Sequence, residues 1–308
     1  MPANEKFEDP IRTIDGAPRA HVDFAGLETL WVNTGVLCNI ECANCYIESS
    51  PKNDRLSYIT RAELEPYLDE AQNMGAREVG FTGGEPFMNP EMIDLAGAAL
   101  GRGFAVLILT NAMKPMMRDR VMRGLLALQA AHGDRLRLRV SLDHFESAVH
   151  DRERGVKSFD IAIDGLVWLA EHGFDVSVAG RTGFGESEQA MRAGFSTLFR
   201  NLGIGVDATD PHALVLFPEM DDSKDTPEIT TDCWGILGKN PNDIMCANAR
   251  MVIKRKGAPA PSVAACTLIA YDERFELGRT LKEASRPVSL NHRHCATFCV
   301  LGGATCSA

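Results

Sequence analysis

Leu37-Cys38-Asn39-Ile40-Glu41-Cys42-Ala43-Asn44-Cys45-Tyr46 places three of the nine cysteines of this 308-residue chain on one short loop, spaced C-x3-C-x2-C. Three thiolates so arranged imply an iron–sulfur cluster with three protein ligands rather than four. A fully ligated cubane mostly moves electrons, whereas three cysteines leave one iron open to a small molecule, and an open metal position is a place for chemistry. Three ligands on one loop are also most of a zinc site, and the spacing alone leaves that alternative open.

Outward from this loop, strand and helix patterns alternate. Leu27 to Asn33 reads as the strand feeding the loop. Thr60 and Glu63 form a capping box that opens a helix over Arg61 to Met74, closed by Gly75. Further strands are expected at Glu78 to Phe81, Phe104 to Leu109, Leu136 to Leu142, Val176 to Ala179 and Ala213 to Phe217. Helices are expected at Pro90 to Leu100, Met116 to Ala131, Phe159 to Glu171 and Glu188 to Leu202. The run Phe104 to Leu109 is apolar throughout, as in a strand buried on both faces. This is an α/β pattern with a parallel sheet, read as a partial (β/α)6 TIM-like barrel; an open doubly wound sheet fits the same alternation. In either architecture, functional residues belong at the C-terminal ends of strands. Marked residues stand there: Thr82-Gly83-Gly84-Glu85-Pro86, Thr110-Asn111, Ser141-Leu142-Asp143, Gly180-Arg181-Thr182 and Pro218-Glu219.

Beyond Pro218 the alternation stops. Residues 219–232 are acidic and loop-like, and the other six cysteines follow: Cys233, Cys246, Cys266, Cys295, Cys299 and Cys306. Two short strands around Gly257 would make a hairpin flanked by Cys246 and Cys266. The expected organisation is a lead segment 1–26, a barrel 27–218 and a small cysteine-rich unit 219–308. A net charge of −10 argues against nucleic acid or an anionic membrane as the main partner. The charged first 25 residues lack an apolar signal-like core, and no run approaches the ~18 apolar residues of a membrane span. A soluble, cytoplasmic protein is expected, in which clustered cysteines are metal ligands rather than disulfides.

The cysteine loop with Tyr46 after its last cysteine, Gly83-Gly84-Glu85-Pro86, and the stretch SLDHFESAVHDRERGVKSFD resemble the radical S-adenosylmethionine (SAM) superfamily. The resemblance implies that Cys38, Cys42 and Cys45 hold a [4Fe–4S] cluster whose open iron takes the amino and carboxylate groups of SAM. It implies that the Gly-Gly-Glu-Pro loop, with Glu85, meets the SAM ammonium, a sensible partner for a carboxylate. Ser141 and Asp143 would meet the ribose hydroxyls, and Arg181 the methionyl carboxylate. Tyr46 and Asn111 are further candidate contacts. Local alternatives stand beside these roles: packing for Tyr46, helix capping for Asn111 or Ser141, a surface ion pair for Arg181. His150, Asp151, Arg152 and Arg154 read first as turn and helix-start contacts. The six later cysteines resemble SPASM and Twitch extensions, which bind auxiliary [4Fe–4S] clusters. The match is partial, because the terminal spacing is C-x3-C-x6-C. By this resemblance Cys233, Cys246 and Cys266 act together, with a fourth ligand from Cys295, Cys299 or Cys306; tetrathiolate zinc is the alternative.

The implied chemistry is reductive cleavage of SAM to a 5′-deoxyadenosyl radical, which abstracts hydrogen from the substrate in a solvent-excluding barrel. A flavodoxin- or ferredoxin-type donor would supply the electron. Related enzymes oxidise small molecules, or crosslink and epimerise ribosomal peptides. Only about 26 residues precede the first strand, which favours a small molecule, or a peptide delivered by a separate protein. The remaining alternative is a non-enzymatic electron carrier or a zinc-stabilised scaffold, which would not need the Gly-Gly-Glu-Pro loop.

Overall fold

Apolar runs that alternate with capped helices bury both faces only if the runs pair as parallel strands beneath the helices. In the computed structural model, which describes residues 5–220 and 224–304, they do. A short β1 (His21–Val22) precedes β2 (Thr29–Asn33), which ends at the cysteine loop. Then follow α1 (Arg61–Asn73), β3 (Glu78–Thr82), α2 (Met92–Gly101), β4 (Ala105–Thr110), α3 (Asp119–His132) and β5 (Leu136–Ser141). After these come α4 (Ser147–Arg154), α5 (Ser158–Glu171), β6 (Asp175–Arg181), α6 (Glu188–Leu202) and β7 (Leu214–Phe217). The capping box is present: Thr60 accepts from the Glu63 amide, and the Glu63 carboxylate accepts from the Thr60 amide.

Strands β2 to β7 are neighbours in chain order, and every pair is parallel. A one-way order sends every right-handed crossover to the same side, so the helices share one face and the sheet curls about the other. A doubly wound sheet reverses its order part-way. The topology is therefore the barrel-like one, and β7 remains an edge, leaving the barrel open.

Element ends otherwise agree with the sequence reading to within two residues, and two segments differ by more. The helix expected from Met116 starts at Asp119, because Pro115 and the turn after Met113 hold the preceding residues out of it. The segment read as turn contacts around His150 is a helix of its own, α4. It is separated from α5 by Gly155 at φ 103° and Lys157 at φ 65°.

The C-terminal region does not sit apart from the sheet. After the short α7 (Cys233–Leu237), β8 (Ala249–Ile253) pairs parallel with β2, Thr29 opposite Ala249 and Val32 opposite Val252. The expected hairpin forms as β8 with antiparallel β9 (Ser262–Ala264), and β10 (Glu276–Gly278) adds to it. One nine-stranded sheet results. A last strand, β11 (Val288–Ser289), pairs with β1, and Cys295–Leu301 forms a π-helix. Arg250 of β8 ties this region together from within the core. Its guanidinium donates to the carbonyls of Ala284 (2.8 Å), Cys246 (2.6 Å) and Arg286 (2.9 Å), and it stacks 4.4 Å over Phe24. Burial lowers its pKa to about 10. No helix among the described residues is long and apolar enough to cross a membrane.

Candidate active site

The C-terminal ends of the parallel strands surround a cavity of about 1020 Å³ including its mouth. Cys38, Cys42 and Cys45 line it from the loop after β2, with Tyr46 beside them. Gly83 and Gly84 line it after β3, Asn111 after β4, Ser141 and Asp143 after β5, and Arg181 at the end of β6. The sequence candidates for the first site thus meet in one place, with one exception.

The exception is Glu85, which is buried but does not line the cavity. Its carboxylate accepts from Thr110 Oγ1 (2.8 Å), the Asn111 amide (2.8 Å) and the Phe87 amide (3.2 Å). Glu85 thereby staples the loop after β3 to the loop after β4. Burial pushes its pKa up to about 7 against those bonds. The glycines before it have a second reason beyond close approach to a ligand. A Cβ on Gly84 would lie 2.2 Å from the Leu37 carbonyl oxygen, and one on Gly83 2.3 Å from that of Gly35. What presses against these glycines is the backbone leading into the cysteine loop. Amides hold it there: Gly84 donates to Gly35 (2.8 Å) and Glu85 to Leu37 (3.1 Å).

Asp143 is buried between two guanidiniums. Arg154 donates to both carboxylate oxygens at 2.8 Å, and Arg181 Nε stands 3.4 Å away. Burial opposes ionisation of Asp143, but Arg154 first and Arg181 second outweigh it and hold the carboxyl below its ordinary value. The reverse holds for Arg154, whose desolvation is overcome by Asp143 so that its pKa rises. Arg154 lines the cavity, and reading it as a helix-start contact missed this. The available signal was Asp143 itself, since a carboxylate at a buried strand end needs a cationic partner. Arg181 also stacks 4.4 Å over the Tyr46 ring, and the Tyr46 hydroxyl donates to the Pro218 carbonyl at 2.8 Å. Tyr46 packs edge-on against Phe217 and Phe298, which with Thr267 and Leu268 complete the lining.

Two of the three thiols are desolvated. Burial pushes Cys38 up to about 12, and burial raises Cys42 despite the opposing Arg154. Amide groups are aimed at sulfur: Ser49 N–H reaches Cys45 Sγ at 3.2 Å, and Asn111 Nδ2 reaches Cys38 Sγ at 3.8 Å.

A second, narrow cavity is lined by Cys246, Cys266, Cys295 and Cys299. It shares Leu268 with the first. Burial pushes Cys246 up to about 11, and Cys295 is raised well above its ordinary value by burial and then by Cys266 and Cys246. Cys233 does not line this cavity. Its sulfur faces the Thr230 amide and hydroxyl at 3.4 Å, which separates it from the partners expected for it. Cys306 lies outside the described residues. All eight described cysteines are free of disulfides. Among the described residues, no three His, Cys, Asp or Glu side chains are gathered as a single metal ion requires.

Residues 32–195, over half of the chain, match the model of the radical SAM superfamily. The chain belongs to that superfamily. Curated relatives include the antilisterial bacteriocin subtilosin biosynthesis protein AlbA of Bacillus subtilis, 32% identical over 143 residues, 46% of this chain and 30% of that one. The mycofactocin maturase MftC of Mycobacterium tuberculosis is 31% identical over 137 residues, 44% of this chain and 33% of its own. Both matches thus span about a third of the relative. Among solved structures, Streptococcus suis SuiB bound to S-adenosylmethionine superposes with TM-score 0.59 at 14% identity, covering 80% of this chain and 62% of SuiB. That likeness carries the fold.

The radical SAM superfamily uses a [4Fe–4S] cluster and SAM, and the residues of this chain fit both. Three thiols, Cys38 buried and Cys42 and Cys45 partly so, form one wall of a cavity whose other walls offer guanidinium, amide and hydroxyl groups. At Cys38 and Cys42 burial disfavours the thiolate until a metal takes up its charge.

Proposed function

We propose that this radical SAM protein reductively cleaves SAM and abstracts a hydrogen atom from a peptide substrate. The observation that carries the reading is the convergence of the three-cysteine loop with Asn111, Ser141, Asp143, Arg154 and Arg181 around one cavity. When bound, the cluster and SAM supply one-electron cleavage of the sulfonium and a carbon centre able to take hydrogen.

The chain's own residues bind, orient and shield. Arg154, Asp143 and Arg181 together carry one net positive charge at the cavity wall, suited to a carboxylate such as that of methionine. Asp143 spends both carboxylate oxygens on Arg154, so in this reading it sets the guanidiniums rather than gripping a ribose. Ser141 and Asn111 remain as hydroxyl and amide contacts. Glu85 acts through the loop it staples. Leu109, Phe217, Leu268 and Phe298 give the cavity apolar walls that exclude water.

Cys246, Cys266, Cys295 and Cys299 supply a complete four-thiolate set for one auxiliary cluster. Leu268, common to both cavities, puts that cluster beside the substrate space, where it is suited to accept the substrate's electron. A peptide substrate is favoured over a small molecule because AlbA is named for bacteriocin biosynthesis and MftC as a maturase. An intracellular setting fits clusters that need reduced thiols.

Anaerobic reconstitution followed by measurement of 5′-deoxyadenosine tests the reading. The wild-type protein should form it with a chemical reductant. Replacement of Cys38, Cys42 and Cys45 by Ala should abolish it and leave C-terminal iron in place. Undiminished product from the triple variant overturns the assignment. A product formed equally without peptide, but turned over only with a small metabolite, would move the substrate to that class.

A further inference from the structure

We propose that the open groove on the outer side of the cysteine loop is the docking site of a small acidic one-electron carrier protein of the flavodoxin type. The proposal rests on the cluster reading above and adds the surface through which its electron arrives.

The groove and the first cavity share a wall made by Ile40 of the cysteine loop and Arg154 at the end of α4. Electron transfer needs closeness without bond formation: the reduced carrier loses one electron and the oxidised cluster gains it. A docked protein at this groove would lie one loop's thickness from the acceptor.

The groove's chemistry favours an acidic partner. Lys114 and Arg118 edge it, Lys157 follows Val156 at its rim, and all three are exposed. Among the described residues, none of the three has a carboxylate within ion-pair distance. Glu41 is the acidic side chain in the lining. Unpaired cations gathered here run against a chain whose net charge is −10. The floor is apolar, with Met88 and Met113, and Val156 is 87% exposed. An apolar centre with cations outnumbering the single carboxylate at its edge suits a transient docking patch, charge steering the encounter and apolar contact holding it.

The test is stopped-flow reduction of the reconstituted cluster, followed by its visible absorbance, with reduced flavodoxin or dithionite as donor. In K114E/R118E, reduction by flavodoxin at low ionic strength should be at least about tenfold slower than in the wild type, a loss that shrinks as salt rises. Dithionite, which needs no docking, should reduce both proteins equally, which also shows that the variant is folded and loaded. Arg200→Glu, at an exposed position of α6 outside the groove, should leave both rates unchanged. An acidic ferredoxin in place of flavodoxin distinguishes the two carriers of this chemistry, and slowing of either supports the site. Equal carrier-driven rates in variant and wild type overturn it. If dithionite fails to reduce the wild-type protein, the cluster reading falls, and this proposal with it.

Discussion

Gly84→Ala should displace the cysteine loop, although the substitution adds one methyl group and alters no ligand. The new Cβ would stand 2.2 Å from the Leu37 carbonyl oxygen, 2.5 Å from that of Val36 and 2.6 Å from the Leu37 carbonyl carbon. All three atoms are backbone, so no side chain can rotate away. Restoring ordinary contact requires the loop to retreat by about 1.3 Å, since non-bonded atoms settle near 3.5 Å. Overpacking of this kind costs about 1–3 kcal/mol. The retreat also breaks the Gly84 to Gly35 and Glu85 to Leu37 amide bonds, each worth about 1 kcal/mol net. The expected loss is about 3–5 kcal/mol, read as a lowered urea midpoint of the metal-free protein, together with reduced iron uptake by the first loop. Gly205→Ala is the control, because nothing lies within 4 Å of a Cβ there. If Gly84→Ala unfolds within 1 kcal/mol of the wild type and binds iron normally, backbone contact is not why glycine stands at this position.

Cys299→Ala should lose the auxiliary irons while Cys233→Ala keeps them, because only Cys299 lines the four-thiol cavity; iron content and Mössbauer spectra decide, and zinc in place of iron would overturn the electron-acceptor role. Glu85→Gln turns an amide NH2 toward groups that already donate, so a loss of about 1–3 kcal/mol is expected, with weakened SAM binding as the loop shifts. A wild-type melting temperature in that variant would contradict the stapling role. His150 is fully buried, and burial first and Arg154 second push it down to about 4. The unfolded imidazole protonates near 6.5, so this stability is complete above that pH and is lost as pH falls toward 4, by roughly 3 kcal/mol at most. His150→Gln should flatten that part of the stability profile between pH 7 and pH 4.5; identical profiles would refute it.

Much of the first site was legible because its residues obey two local rules, strand periodicity and loop composition. Phe104 to Leu109 reads as a buried strand and is one, so Asn111 falls at its C-terminal end without further information. The same rule placed Ser141, Asp143 and Arg181. Long-range pairing was not legible. Nothing in Ala249–Ile253 distinguishes a strand that closes a separate hairpin from one that also pairs with β2, since a strand buried on both faces looks alike in either setting. The same blindness affected Cys233. The resemblance to related extensions groups it with Cys246 and Cys266, but position in the fold decides which thiols share a cavity. Glu85 was legible as a site residue and misleading as to what it touches, because a loop motif fixes the backbone while the carboxylate's partners come from the next strand.

The pairing of β8 with β2 also bears on how this protein can be divided. Cutting the chain after β7 would look like removal of an appendage, yet it would strip β2 of its neighbour along Thr29 to Val32. β2 is buried along its whole length, and its backbone would then become an exposed apolar edge, the kind of template on which chains aggregate. A shortened barrel would therefore be a poor stand-in for studying the first cluster alone, and point substitution of the C-terminal cysteines is the sounder way to silence the second. For the same reason, exchange of C-terminal regions between relatives would have to carry a β2-compatible strand with it. Here inheritance of the auxiliary site is tied to inheritance of the sheet.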